Sequence, residues 1–153
     1  MNTKLLPRLF FLFFLSLTID YVWAALDTEK DFRVAMSCSA FALLQTANFP
    51  ETVDVYMKGT PAKDATAQKR ARTGLDWTNR GDFTMRMMGS VSFKAINGRN
   101  ATNGDLLRAR SEWVNVLQTA TESEREAIGK NCAPVFKWAD DYCSKQLCIS
   151  KPN

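Results

Sequence analysis

Four cysteines are the residues of this chain with the clearest capacity for covalent chemistry. Three of them, Cys132, Cys143 and Cys148, lie within a stretch of 17 residues, whereas Cys38 is far upstream. Cysteines form redox-active pairs, zinc sites or structural disulfides. The sequence has no Cys-x-x-Cys motif, and the spacings do not match a four-cysteine zinc site. We therefore predict structural disulfides, no metal site and no cofactor.

Helix geometry selects the pairing of these cysteines. Cys132 and Cys143 are 11 residues apart in a region with helical periodicity, which separates them by about 16 Å along a helix axis. A disulfide requires Cα atoms within about 7 Å, and the same argument excludes Cys132 with Cys148. The predicted bonds are Cys38–Cys132, which joins the first helix to the last, and Cys143–Cys148.

Histidine is absent from the chain. Its absence excludes Ser-His-Asp and Cys-His catalysis and histidine-ligated zinc. Carboxylate-based cleavage of a glycan stays open, and Glu112 is its candidate acid because the neighbouring Trp113 could raise a carboxyl pKa. Asp140 and Asp141 are adjacent, so on a helix they do not face each other. We predict a protein without enzymatic activity, with a Glu112-based glycan hydrolase as an alternative.

A basic segment extends from Lys58 to Arg86 and contains 7 cationic residues. Such a segment either solubilises a helix face or forms a docking surface for an acidic partner. The predicted partner-binding residues are Lys69, Arg70, Arg72, Trp77 and Arg80. The formal net charge of the chain is only +4, which does not indicate a nucleic-acid partner. The acidic partners open to such a surface are a protein, a phospholipid head group and a cell-wall polymer; of these we predict a protein partner in the cell envelope.

Large apolar residues overlap the basic segment, among them the sequence MRMM at positions 85–88. At helical spacing such residues are typical of a core, although methionines also form adaptable grooves for varied partners. An alternative function is therefore a carrier of a small apolar ligand, with a cavity inside the helical bundle. Its predicted lining residues are Trp77, Phe83, Met87, Met88 and Trp113.

The first 24 residues predict a signal peptide. Lys4 and Arg8 form a positive n-region, and residues 9–17 are uncharged. This run is shorter than the roughly 20 residues that span a bilayer and suits a signal-peptide core. Val22 and Ala24 fit the −3 and −1 positions of a cleavage site after Ala24; an uncleaved anchor is the alternative. We predict a single mature domain, residues 25–153, in the periplasm or secreted, without a membrane span.

Helical periodicity extends over almost all of residues 25–153, which predicts an all-α fold: a disulfide-stapled bundle of four or five helices. The first helix is predicted to end at Phe49 and Pro50, because the residue before proline avoids the helical region. In the next region with helical periodicity, Gly74, Gly81 and Gly89 lower the tendency to form a helix. This region predicts one kinked helix or two helices that meet near residues 79–81.

Capping residues indicate where the later helices begin. The sequence NGRNATNG is rich in turn-forming residues, and Asn103 within it is predicted to cap the next helix. Asn100 in the same sequence is a glycosylation acceptor if the host is eukaryotic. The last helix has two overlapping capping boxes and is predicted to break near residues 131–134. The two boxes pair Thr121 with Glu124 and Ser123 with Glu126.

Two segments resemble the small, all-helical periplasmic immunity proteins that neutralise amidase effectors of type VI secretion. The segments are KDFRVAMSCSAFAL, around Cys38, and DYCSKQL, around Cys143. Those families also have a cysteine in an early helix and end on a charged helix that contains a cysteine. The resemblance implies a periplasmic protein that acts by binding another protein, and it transfers no individual site residue. The leading prediction is thus an inhibitor, an immunity factor or an accessory factor of the envelope.

Overall fold

The computed structural model describes residues 28–145, and these residues form helices joined by short connections. The helices are α1 (Thr28–Thr46), the π-helical turn π1 (Val53–Met57), α2 (Ala65–Phe83), the π-helical segment π2 (Thr84–Gly89), α3 (Ser90–Asn97), α4 (Asn103–Thr119) and α5 (Glu122–Lys145). No strand occurs in this part of the chain, so the predicted all-α class and number of helices are confirmed. None of these helices has the length and hydrophobicity to cross a membrane. The predicted signal peptide, the cleavage after Ala24 and Cys148 lie outside the described residues.

Helix α1 is the centre of the bundle. It packs against α2, π2, α3, α4 and α5, and it is buried on almost every side between residues 35 and 42. The buried residues are mostly small: Ala35, Met36, Ser37, Cys38, Ser39, Ala40 and Ala42. Because small side chains let neighbouring helices approach closely, one helix of 19 residues can contact five other helical elements.

The disulfide Cys38–Cys132 joins α1 to α5, as predicted. Its Cα atoms are 5.4 Å apart, and the two cysteines are separated by 94 positions in the sequence. Each cysteine is only 1% exposed. Cys143 is also disulfide-bonded, but the predicted bond to Cys148 lies outside the described residues. The confirmed bond fixes the last helix onto the central one.

Helices α2 and α3 form one uninterrupted rod, because π2 connects them without a loop. This continuity agrees with the first predicted alternative, one long helix, whose kink stays a prediction, whereas the second alternative, two helices that meet near residues 79–81, is wrong. Gly81 instead permits close packing on α1: a Cβ atom at this position would lie 3.2 Å from Ala42 Cβ, and Ser39 Oγ donates a hydrogen bond of 2.8 Å to the Gly81 carbonyl. The irregular part of the rod lies just beyond this contact, in π2.

Two predictions about helix boundaries are wrong and one is confirmed. Thr102, not Asn103, is the N-cap of α4, because Thr102 has the extended backbone of a cap and Asp105 completes its capping box. Helix α5 is continuous and contains Pro134, so the chain does not break near residues 131–134. At the start of α5, Glu124 Oε2 accepts a 2.8 Å hydrogen bond from the Thr121 backbone N–H, which confirms that capping box.

The cap of α4 predicts a pH-dependent contribution to stability. Hydrogen bonds from Arg99, and from the backbone and hydroxyl of Thr102, hold the pKa of Asp105 well below its usual range. Since the folded state lowers this pKa, the carboxylate stabilises the fold above about pH 4, the ordinary value for aspartate, and this contribution is lost as the pH falls further. We expect Asp105→Asn to lower the melting temperature at neutral pH, and the difference from wild type to shrink below about pH 4.

Thermal unfolding followed by circular dichroism between neutral and acid pH measures this difference. The exposed Asp141 provides a matched control, because no hydrogen bond or ion pair of its carboxylate occurs in the described part of the chain. Asp141→Asn should therefore leave the melting temperature close to wild type. A difference for Asp105→Asn that stays constant across the whole pH range would contradict the expectation.

Candidate binding surfaces

An apolar groove lies between the α2–α3 rod and α5. Its volume is about 480 Å³. We call it the methionine groove; its lining residues are Asp31, Met87, Met88, Val91, Ser92, Pro134, Val135 and Trp138. Three helical elements therefore contribute to it: the start of α1, the π2–α3 junction and the middle of α5.

A π-helical segment and a helix that contains a proline both line the methionine groove. On one side, the widened turn of π2 presents Met87 and Met88; π-helical turns are rare and are frequent at functional sites. On the other side, Pro134 lies inside α5, where its ring removes one backbone hydrogen bond of the helix. The groove thus lies beside the π-helical segment of one helix and the proline of the other.

Large side chains on the walls of the methionine groove are open to solvent. Met87 is 41%, Val91 42% and Trp138 47% exposed. The Trp138 ring is held by Phe83, with ring centroids 4.7 Å apart in an edge-on arrangement, and Phe83 is in turn 4.7 Å from the Tyr142 ring. Such pairs fix the orientation of the two rings and also bury their apolar surface. The groove therefore presents an apolar surface whose tryptophan has a defined position.

One carboxylate interrupts this apolar lining. Asp31 Oδ2 is buried and has no hydrogen-bond partner among residues 28–145. Buried polar atoms in folded proteins are almost always hydrogen-bonded, and an unpaired one is unfavourable by a few kcal/mol, about 1–3. In the described part of the chain, the groove therefore combines apolar walls with a carboxylate oxygen that lacks a donor.

A second recess, the arginine pocket, has a volume of about 460 Å³. Its lining residues are Phe41, Trp77, Arg80, Gly129, Ala133, Phe136, Lys137 and Asp140. The Arg80 guanidinium carbon lies 4.6 Å from the centroid of the Trp77 ring and 5.9 Å from that of Phe136. Arg80 also donates two hydrogen bonds to the two oxygens of Asp140, at 2.8 and 2.7 Å. These bonds raise the pKa of Arg80 above its ordinary value.

The five predicted partner-binding residues do not form one surface. Trp77 and Arg80 come together in the arginine pocket. Lys69 and Arg72 are exposed on an earlier part of α2, and their side chains have no ion pair within the described residues. Lys69 precedes Arg80 by 11 residues, about 16 Å along the helix. Trp77 and Arg80 therefore form a site of their own.

Arg70 has a structural role in the connection between α1 and α2. Its Nε donates a 2.6 Å hydrogen bond to Glu51 Oε1, and its Nη2 donates one of 2.9 Å to the Asn48 carbonyl. The guanidinium also lies over the Phe49 ring, 5.4 Å from the centroid. The hydrogen bond from Arg70 lowers the pKa of Glu51. This cation holds the connecting segment in place.

The residues predicted to line a single ligand cavity are distributed over different sites. Met87 and Met88 line the methionine groove, whereas Trp77 lines the arginine pocket. Phe83 is buried, and Trp113 packs against the core formed by α1, π2 and α4. Glu112, the candidate catalytic acid, is exposed on α4 and lines neither recess.

Sequence reasoning missed the residues that α5 contributes to both recesses. Trp138 is the clearest case, and a signal for it was present. The buried positions of α5, Cys132, Phe136 and Ala139, follow a helical stripe, and Trp138 lies beside that stripe. A tryptophan outside the buried stripe of an amphipathic helix indicates an exposed apolar surface. Asp31 gave no comparable signal, because acidic residues are common in the first turn of a helix.

Comparisons of this chain with protein-family models, with curated proteins and with solved structures give no match. The resemblance to periplasmic immunity proteins therefore stays a prediction, and the two recesses have to be interpreted from their own chemistry.

Proposed function

We propose that this chain is an exported, non-enzymatic binding protein that docks onto a protein partner through the methionine groove, as an inhibitor, an immunity factor or an accessory factor of the envelope. The observation that carries the proposal is the convergence of Met87, Val91 and Trp138, each more than 40% exposed, on one open groove. Contiguous exposed apolar surface of this kind typically marks an interaction site. Tryptophans are also enriched among the residues that contribute most to binding.

The chemistry of the groove defines the partner. Its apolar walls accept one or two bulky apolar side chains, and methionines adapt to the shape of what enters. Asp31 places a carboxylate in the lining of the groove, and an arginine or lysine of the partner supplies the compensating charge. The partner therefore presents an apolar side chain next to a basic one.

Export is part of the same proposal. The positive n-region followed by an uncharged apolar stretch favours secretion. The disulfide between Cys38 and Cys132 is consistent with this, because such bonds persist in oxidising compartments. An intact mass equal to that of a chain that begins at Ala25 would support cleavage and export. A mass that includes residues 1–24 would favour the uncleaved N-terminal anchor.

A carrier of a small apolar ligand is the second candidate. The groove volume of about 480 Å³ falls within the usual range of ligand pockets, about 300–1,000 Å³. However, such pockets bury most of a ligand's surface, whereas Met87, Val91 and Trp138 remain 41–47% exposed. An open groove of this kind suits a macromolecular partner better than a small enclosed ligand.

Site-specific photocrosslinking tests the proposal with a matched pair of valines. Val91 lines the groove and is 42% exposed; Val116 on α4 is 51% exposed and lines neither recess. Each valine is replaced in turn by benzoylphenylalanine in the full chain, produced in its own host. We expect a protein crosslink from position 91 and none from position 116.

Two substitutions make the crosslinking result specific for the groove. For this test, benzoylphenylalanine replaces Met87. Val91→Asp should then abolish the crosslink, because it places a charge in the apolar wall. Val116→Asp should preserve the crosslink. The crosslinked segment of the partner should contain an apolar residue beside a lysine or arginine. Equal crosslinks from positions 91 and 116, or none from either, would overturn the proposal. A small apolar molecule that copurifies with wild type but not with Val91→Asp would support the carrier instead.

A further inference from the structure

The arginine pocket is independent of the methionine groove. The two recesses share no lining residue. On α5 the groove uses Pro134, Val135 and Trp138, whereas the pocket uses the set Gly129, Ala133, Phe136, Lys137 and Asp140. At about 100° per residue, these two sets point to the two flanks of the buried face of α5. A function of the pocket therefore neither requires nor replaces the proposed function of the groove.

Small residues on α5 leave room for the pocket. A Cβ atom at Gly129 would lie 2.8 Å from Cζ of the Phe41 ring, so the glycine allows this ring to reach the wall of the pocket. The next turn carries Ala133, which is also small. The resulting recess has a volume of about 460 Å³.

The walls of the pocket include aromatic rings and unused hydrogen-bond donors. Trp77 and Phe136 meet edge to face, with centroids 5.5 Å apart. A guanidinium has five N–H donors, and Asp140 accepts two from Arg80. The others have no acceptor within the described part of the chain, and the same holds for the exposed ammonium of Lys137. Two cationic groups therefore retain donors beside aromatic surface.

We propose that the arginine pocket binds a carboxylate attached to an aromatic ring. The carboxylate accepts hydrogen bonds from the free donors of Arg80 and from Lys137, and the ring packs against Trp77 and Phe136. The carboxylates of Asp140 and the nearby Asp76 offset the two cations, so the pocket holds a ligand carboxylate through hydrogen bonds from Arg80 and Lys137 and not through a surplus of positive charge. A dianion such as a phosphate monoester is repelled more strongly by Asp140.

The ligand carboxylate has two sources, a small aromatic acid or the C-terminus of a peptide that ends in an aromatic residue. Calorimetric titration of the full mature protein with naphthalene-2-carboxylate tests the first source. Titration with a pentaglycine extended by a C-terminal phenylalanine tests the second. The matched controls are naphthalene-2-carboxamide and the amidated peptide. We expect one site per chain for at least one of the acids and about ten-fold weaker binding of its amide, since hydrogen bonds between charged groups are lost.

A pair of lysine variants identifies the site. Lys137→Glu reverses a charge on the pocket wall and should weaken binding of the acid by about ten-fold or more. Lys130→Glu makes the same change on an exposed residue of α5 that does not line the pocket, and it should change the affinity less than two-fold. Both residues are exposed, so both variants should fold, and far-UV circular dichroism confirms this before the titrations.

Three outcomes would overturn this inference: no binding of either acid at millimolar concentration, equal binding of an acid and its amide, or equal losses for the two lysine variants. Loss of binding in Val91→Asp, with Lys137→Glu unaffected, would also overturn it by assigning the acid to the methionine groove. Unchanged affinity in Val91→Asp, together with the loss in Lys137→Glu, would support it regardless of whether the groove binds a protein.

Discussion

Replacing both Cys38 and Cys132 by alanine is expected to lower the free energy of unfolding by about 4–5 kcal/mol. The bond closes a loop between residues 94 positions apart, and in the chain-entropy account the loss grows with the length of this loop. Domains of this size are usually stable by about 5–15 kcal/mol. The unlinked protein should therefore be close to the limit of stability.

Urea denaturation followed by tryptophan fluorescence measures this loss. Alanine is preferred to serine, because both cysteines are 1% exposed and a buried hydroxyl would add an unpaired polar group. The single variant Cys38→Ala should lose about as much stability as the double variant, since either one removes the link. A double variant within about 1 kcal/mol of wild type would show that the unfolded chain gains little freedom when the bond is absent.

The same bond has a functional consequence, because α5 carries one wall of each recess. Phe136 and Phe41, which line the arginine pocket, pack on the cluster that contains the two bonded cysteines. The disulfide therefore fixes the helix that positions both Trp138 and Asp140. Loss of the bond should weaken ligand binding at the pocket even at temperatures where the chain is still folded.

Substituting Gly74 by alanine should destabilise the protein by about 3 kcal/mol, although alanine is the better helix former. Helix α2 and the connecting segment touch at this position. A Cβ atom there would overlap Thr52 Oγ1 and lie 2.7 Å from Phe49 Cβ. The hydroxyl of Thr52 could rotate away, but the Cβ atoms of Phe49 and Thr52, at 2.7 and 3.1 Å, are fixed by the backbone. The segment would have to move, which breaks the buried 3.2 Å hydrogen bond from Thr52 Oγ1 to the Ala71 carbonyl.

Gly104 is the matched control for this substitution. It lies in the first turn of α4, and its nearest neighbour for an added Cβ is Thr102 Oγ1 at 3.7 Å, an ordinary contact distance. Gly104→Ala should therefore stabilise the protein by up to about 1 kcal/mol. The two variants should shift the urea midpoint in opposite directions. Equal shifts would mean that the connecting segment yields easily and that helix propensity alone determines the effect.

The sequence by itself determined the fold class, one disulfide and one cap, because these follow from local geometry. A helix fixes the rise per residue, so the distance between Cys132 and Cys143 excluded their pairing and left Cys38 as the partner that the structure confirms. The capping box of Thr121 and Glu124 depends on a spacing of three residues. It too formed as predicted.

Only the tertiary structure decided which residues share a surface. Arg70 and Arg80 look equivalent in the sequence, but Arg70 pairs with Glu51, whereas Arg80 lines a pocket with Asp140, 60 positions away. The methionine groove likewise unites Asp31 with Met87 and Trp138. Helical periodicity shows which side of each helix is buried, but the axial rotation and crossing of α2, π2 and α5 around α1 depend on how their side chains interlock. Those contacts join residues far apart in the chain, so the spacing within any one helix does not contain them.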